Sequence, residues 1–260
     1  MNSQFDIFSA IYNNVKDCKY DYAVLPWGAT EPHNYHLPYL TDCYLAHDIS
    51  LDAVIKAYNN ARIKGMVLPP IPLGSQNPGQ RELPFCFHAR YETQKAILTD
   101  IVASLDYQKF DKLIIVNGHG GNSFKNMIRD LAVDYPHFLI VVSDWFTILP
   151  QSEFFEEIDD HAGEMETSVM MHYRPDLVNL EVAGDGHYRA FKAKSLLDGT
   201  GWAPRNWAKA SEDTGIGNPK KSSAEKGKKC ADAVSNKLSE LFVEIVKDDL
   251  YSKSIKNCSI

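Results

Sequence analysis

"KLIIVNGHGGN", Lys112 to Asn122, decides the class of fold. Its first six residues form an apolar, β-branched run stopped by Gly118, the pattern of a strand buried on both faces. "YAVLP" (Tyr22–Pro26) has the same character upstream, and "GMVLPPIPLG" (Gly65–Gly74) and "FLIVVS" (Phe138–Ser143) are two further candidate strands. Helical spacing fills the intervals. Leu45, Ile49, Ala53 and Ile55 mark a helix over Asp42–Asn59, Ile97, Ile101 and Leu105 one over Tyr91–Leu105, and Phe124, Ile128 and Leu131 one over Gly121–Tyr135. Strands alternating with helices of this length predict an α/β fold with a parallel sheet covered on both faces.

Further along, Gly184 to Lys221 breaks the rhythm with glycines, prolines, Trp202 and Trp207, and reads as a long functional loop. A final helix is expected over Ser222–Leu250, with Ala231, Val234, Leu238, Leu241 and Ile245 on one face. No repeat or low-complexity tract divides the chain, so residues 1–260 are read as a single domain.

The bulk numbers narrow the function. A hydrophobic content of 44% with 23% charged residues is that of an ordinary globular protein with a sizeable core. A formal charge of -7 argues against nucleic acid or an anionic membrane as partner. No apolar run approaches the ~18 residues of a membrane span, and "MNSQFDIFSAIYNN" lacks the basic and apolar regions of a secretion signal. Five scattered cysteines (18, 43, 86, 230 and 258) fit incidental thiols in a reducing compartment, so a cytoplasmic protein is expected.

In an open parallel sheet, ligands bind beyond the carboxyl ends of the strands. "GATEPHNYHLPYLTD" leaves the first strand with Glu31, His33, His36 and Asp42, and "NGHGGN" leaves Lys112–Asn117 with His119. "DDHAGEMETS", after Phe138–Ser143, adds His161, Glu164 and Glu166. Three loops thus bring imidazoles and carboxylates to one rim. In extended backbone Glu31 and His33 point the same way, and Asp42 can approach from the start of the next helix. These ligand types suit zinc, manganese or a related divalent ion, and the absence of any C-x-x-C pair argues against a closed structural zinc site. The glycines beside His119 allow a close backbone approach, and a helix starting at Gly121 could help to hold an oxyanion. Each group also has a plainer reading: Asp42 as a helix cap, His119 as a turn residue, Glu166 as a charge offsetting a helix dipole. His47 and His172 are expected to serve packing, whereas His88 could line a pocket. Phosphate-loop and serine-hydrolase motifs are absent from the sequence.

Taken in order, "GATEPHNYHLPYLTD", "NGHGGN", "HAGEMETS" and "GNPKKSSAEKG" resemble the motifs of the creatininase (creatinine amidohydrolase) family from about Tyr22 to near the C-terminus. The resemblance implies a three-layer αβα sandwich, two divalent metal ions per chain (zinc and/or manganese), hydrolysis of a C–N bond of a small amide, and a homohexamer. It makes Glu31 and His119 ligands of one ion, His33 a ligand of the other, Asp42 the bridging carboxylate, and His161 the proton shuttle; Glu164, three residues on, is expected to orient His161. His36 falls to the pocket, together with Gly120, Gly121 and Asn122.

There are departures. The family's glutamate two residues after the second-motif histidine is Gly121 here, so Glu166 is expected to supply that ligand. Glu157 stands where creatininases place a tryptophan, and "LPFCFHARY" lacks a Gly-Thr pair. The expected substrate is therefore a small cyclic or linear amide, not creatinine specifically. Alternatives are a deformylase or peptide-like amidase on the same fold, or a non-catalytic metal- or ligand-binding protein. Glu157 near the pocket would disfavour a strongly anionic substrate.

Overall fold

The computed structural model describes residues 3–157 and 159–251; the chain ends of the expected domain, and Cys258, lie outside them. Four strands, β1 (Tyr22–Trp27), β2 (Gly65–Val67), β3 (Lys112–Asn117) and β4 (Leu139–Asp144), form one sheet in the order β2-β1-β3-β4. Every pairing is parallel. The helices are α1 (Tyr12–Val15), α2 (Thr41–Ala61), α3 (Tyr91–Tyr107), α4 (Lys125–Asp134), α5 (Glu164–Tyr173), α6 (Lys194–Leu197), α7 (Trp207–Ala210) and α8 (Ala224–Lys247).

Alternation along the strands builds the three layers. Tyr22 and Val24 of β1, with Ile114 and Val116 of β3, face α2, α5 and α8 through Leu45, Ile49, Val169, Leu238 and Phe242. Their neighbours Ala23, Leu25, Leu113 and Ile115 face the other way, onto Leu98 and Val102 of α3 and Met127 and Leu131 of α4. Both sides of the sheet are buried, which is why its strands read as continuous apolar runs. Leu98 is fully buried, and truncating it to alanine would cost about 2–5 kcal/mol.

Two expected elements are shorter than their sequence pattern. "GMVLPPIPLG" pairs as a strand only over Gly65–Val67, because Pro69, Pro70 and Pro72 have no N–H to give a ladder. Beyond it only isolated bridges remain, Trp27 with Ile71 and Gly74 with His88. The helix expected from Gly121 begins at Lys125, so Gly121 sits in the preceding loop and offers no helix terminus to an oxyanion. Gly184–Lys221 is irregular apart from α6, α7 and single turns.

The strand order places a topological switch point between β1 and β3. The chain leaves β1 for β2 on one side and β3 on the other, and the crevice at their carboxyl ends is where such sheets hold ligands. Two glycines admit the start of α2 to that crevice. A Cβ on Gly28 would lie 2.7 Å from the Asp42 Cβ, and one on Gly118 would lie 2.4 Å from the Asp42 carbonyl oxygen. Side chains at these positions would push Asp42 out of the crevice.

Candidate metal centre

Glu31 and His33 leave β1, Asp42 enters on the first turn of α2, and His119 follows β3. His161 and Glu166 come from the loop before α5 and its first turn. All six are buried, and their side chains meet. The Asp42 carboxylate stands between two imidazoles, with His33 Nε2 2.9 Å from Oδ1 and His119 Nδ1 3.2 Å from Oδ2. Glu31 Oε1 lies 2.8 Å from His119 Nδ1 and 3.8 Å from His161 Nδ1. Three overlapping sets of potential ligand atoms result: Glu31 with Asp42 and His119, His33 with Asp42 and Glu166, and Glu31 with His33 and His161, the atoms of each set within 4.8 Å of one another.

Each imidazole is held from behind by a backbone carbonyl. His33 Nδ1 contacts the Glu31 carbonyl oxygen at 3.0 Å, His119 Nε2 that of Ser75 at 2.7 Å, and His161 Nε2 that of Pro32 at 2.9 Å. A carbonyl only accepts, so these nitrogens carry the hydrogens, and a neutral ring turns its lone pair toward the carboxylates. Acceptor then faces acceptor, an arrangement that needs positive charge between them. Without metal, protons supply it. Burial acts against a charged His33, yet Asp42, Glu166 and Glu31 outweigh it and raise its pKa to about 10. Burial likewise opposes a charged His119, but Glu31 and Asp42 hold it well above the usual range. Glu166 is pushed up to about 8, chiefly by burial. Two donors about 2.1 Å from one ion and at right angles lie roughly 3 Å apart, the separations found around Asp42. Among the described residues Asp42 Oδ2 has no hydrogen-bond partner, and no lysine or arginine pairs with the three carboxylates. The donor set fits divalent metal.

Local structure aims these groups. Ala162 adopts a left-handed conformation with φ of 53°, which turns the chain between His161 and α5. Its N–H donates to Glu166 Oε2 at 2.5 Å. His161 and Ile216 exchange backbone hydrogen bonds of 3.1 and 2.8 Å, tying the loop down. Gln80 Nε2 donates to the outer oxygen of Glu31 at 2.5 Å, fixing that carboxylate through its other oxygen.

The remaining expected site residues divide. Gly120, Gly121 and Asn122 line a cavity of about 490 Å³ that opens beside Glu31, His119 and His161. A Cβ on Gly121 would stand 2.1 Å from the Ser75 carbonyl oxygen and 2.5 Å from His119 Nε2, so no glutamate fits there without rearrangement. His36 is not among the cavity's lining. It is buried, with Nε2 2.8 Å from Thr167 Oγ1, and burial next to His33 lowers its pKa to about 4. Glu164 does not orient His161. It accepts from the Glu156 and Glu157 N–H groups at 2.9 and 2.7 Å and pairs with Lys226 at 2.5 Å, clamping that loop to α8. Nor does Glu157 face the cavity, since it pairs with Lys221 at 2.8 Å. His88 is exposed and accepts from the Gln76 N–H. The cavity's other walls come from Ser75–Gln80 and from Trp202, Arg205 and Trp207, none of which had a sequence signal beyond the aromatic character of the loop.

The creatininase family profile, described as creatinine amidohydrolase, matches residues 12–242. The chain belongs to the creatininase family. A Bacteroides fragilis protein described as a candidate creatinine amidohydrolase, with a crystal structure at 2.11 Å resolution, is 55% identical. That comparison covers 97% of this chain and 100% of the other, with a TM-score of 0.95. The mycofactocin precursor peptide peptidase of Mycobacterium ulcerans is 26% identical over 160 residues, 60% of this chain and 59% of that protein. The creatinine amidohydrolase of Pseudomonas putida is 24% identical over 178 residues, 61% of this chain and 66% of the relative. The chain therefore spans somewhat under two thirds of these two relatives. Creatininase structures in zinc–zinc and manganese forms share the fold at 21% and 22% identity, with TM-scores of 0.71 and 0.74. They cover 93% and 94% of this chain and 98% and 99% of the solved chains. Among the described residues no helix is long and apolar enough to cross a membrane.

Proposed function

We propose that this chain is a metal-dependent amidohydrolase that cleaves a C–N bond of a small amide. Three imidazoles, each backed by a carbonyl and turned toward three carboxylates that no described lysine or arginine balances, carry this reading. Glu31, Asp42 and His119 would hold one divalent ion and His33, Asp42 and Glu166 a second, each zinc or manganese. The chemistry such ions supply is Lewis acidity at the amide oxygen and a water acidified to ionise near neutral pH.

The protein's own groups do the rest. His161 lines the cavity with Nδ1 free to take a proton and return it to the departing nitrogen. Burial, reinforced by neighbouring His33, lowers its pKa, which keeps the ring neutral and receptive. Glu31 is held by Gln80 on one oxygen, so its other oxygen stays aimed at His119. Likeness to a peptide peptidase as well as to a creatinine amidohydrolase extends the reading to peptide-like amides.

Metal content per chain, measured beside amine release from a panel of cyclic, linear and peptide-type amides, tests the proposal. Two exchangeable ions with turnover of some amide are expected. A chain that binds no divalent ion and releases no amine would be a ligand-binding protein instead. His161→Gln should lower kcat by about a hundredfold or more while leaving two ions bound.

A further inference from the structure

Among the described residues, the cavity beside the centre is lined by one permanently charged cation, Arg205. Of its charged side chains, Glu31, His119 and His161 belong to the centre; Asp160 and Arg205 do not. Arg205 lies over the Trp207 ring, its guanidinium carbon 5.1 Å from the ring centroid. Trp207 is buried, and its Nε1 donates to the Thr214 carbonyl oxygen at 3.1 Å, so the indole is a fixed platform. The same indole meets the His161 ring edge-on, with centroids 5.3 Å apart. One indole therefore separates a positive charge from the proposed proton carrier. Arg205 gives one Nη to Asp160, and among the described residues the other N–H groups of its planar fork have no further partner. On another wall, both polar atoms of the Gln76 amide are buried without a partner. An unsatisfied buried donor and acceptor are destabilising until a ligand meets them.

We infer that the cavity binds substrates ending in a free carboxylate, seated on Arg205, with an adjoining amide paired to Gln76. The ligand class is an N-acylated amino acid or a short peptide with a free C-terminus. This deepens the amidohydrolase reading and rests on it for the bond that is cleaved. A guanidinium pre-stacked on an indole loses little freedom on binding, and its fork matches a carboxylate bidentately. Asp160 competes for the same donors, so its charge weakens the site while holding Arg205 in place. The acidic side chain expected to repel anions, Glu157, is spent on Lys221 outside the cavity.

The test compares matched ligands on the metal-loaded protein: N-acetylglycine against N-acetylglycinamide by calorimetry, and dipeptides against their C-terminal amides by amine release. The free acids should bind about tenfold tighter or more, as expected for a charge-assisted hydrogen bond. Arg205→Gln should bring that ratio to near one. Asp160→Asn should raise it severalfold, a change of opposite sign that a merely structural role would not produce. A wild-type ratio near one, or a ratio that neither substitution moves, overturns the inference. Acid preference without any amine release would leave the carboxylate site standing and sink the amidohydrolase reading; equal turnover of acids and amides would do the reverse.

Discussion

Two buried polar clusters share helix α2, and they are built to opposite rules. Near the helix start, Asp42 joins Glu31 and Glu166 around three imidazoles, and among the described residues no lysine or arginine pairs with them. A turn further on, His47 bridges Asp48 and Asp6 at 3.0 and 3.2 Å, and Arg174 closes on Asp48 with two hydrogen bonds of 2.8 and 2.7 Å. The second cluster is complete: two carboxylates face one arginine and one histidine that readily takes a proton. The first has no such permanent cation among the described residues, so its three carboxylates depend on protons or metal ions taken up from solution. Buried carboxylates need compensation, and where no lysine or arginine gives it, protons or cations taken up from solution must. That distinction separates a site from a structural network even though both are rich in Asp and His.

The sharpest way to break this contrast is at Asp42. Asp42→Ala or His119→Ala should reduce turnover by about a thousandfold or more and lower the number of ions bound per chain. Normal metal content with full turnover would remove Asp42 and His119 from the centre. Chelation should separate the clusters next. Free metal at a hundredfold above Kd stabilises by about 2.7 kcal/mol per ion, so losing two ions costs about 5 kcal/mol, or roughly 10–20 °C in Tm for a chain of this size. Adding zinc or manganese back should restore the Tm, and a Tm indifferent to chelator would mean that protein groups already balance the site. Arg174→Met opens the closed cluster instead. Because the Arg174 side chain is 41% exposed, the loss is discounted for solvent to about 1–2 kcal/mol, read by urea unfolding. Metal content and turnover of the folded protein should stay as they are.

The smallest effect is the pH dependence of the closed cluster. Burial opposes a charge on His47, but Asp48 and Asp6 outweigh it and raise its pKa above 6.5. A histidine bound more tightly to its proton when folded adds stability that is full below about pH 6.5. That stability fades as pH rises through the elevated folded value. Thermal unfolding across this window should show the fall in wild type and a flatter profile in His47→Gln. Equal slopes would show that Asp6 and Asp48 do not hold the proton.

How much of this was legible differs between strand and loop. β1 and β3 are continuous apolar runs because both faces are covered, and a buried parallel strand leaves that mark in any sequence. "GMVLPPIPLG" reads as well as they do yet pairs for only three residues; apolar character predicts burial, and the prolines decide pairing. The centre was legible where its ligands ride on strand ends, since β1 and β3 deliver Glu31, His33 and His119 to one edge whatever the loops do. Gln76, Gln80, Arg205 and Trp207 were not, because they reach the crevice from segments whose path no local pattern fixes.

The sequence by itself determined the sandwich, the edge at which polar groups collect, and the residue types that suit divalent metal. Tertiary structure decided which of two neighbouring carboxylates joins them. Glu164 and Glu166 are two residues apart on α5, so their side chains diverge by roughly 200° around the helix, and periodicity has no preference between them. The docking of α5 against α2 and α8 turns Glu166 to His33 and Asp42 and Glu164 to Lys226. Hydrophobic patterning is a property of short stretches and survives in sequence, whereas the facing of a side chain across a packed interface exists only once the helices have met.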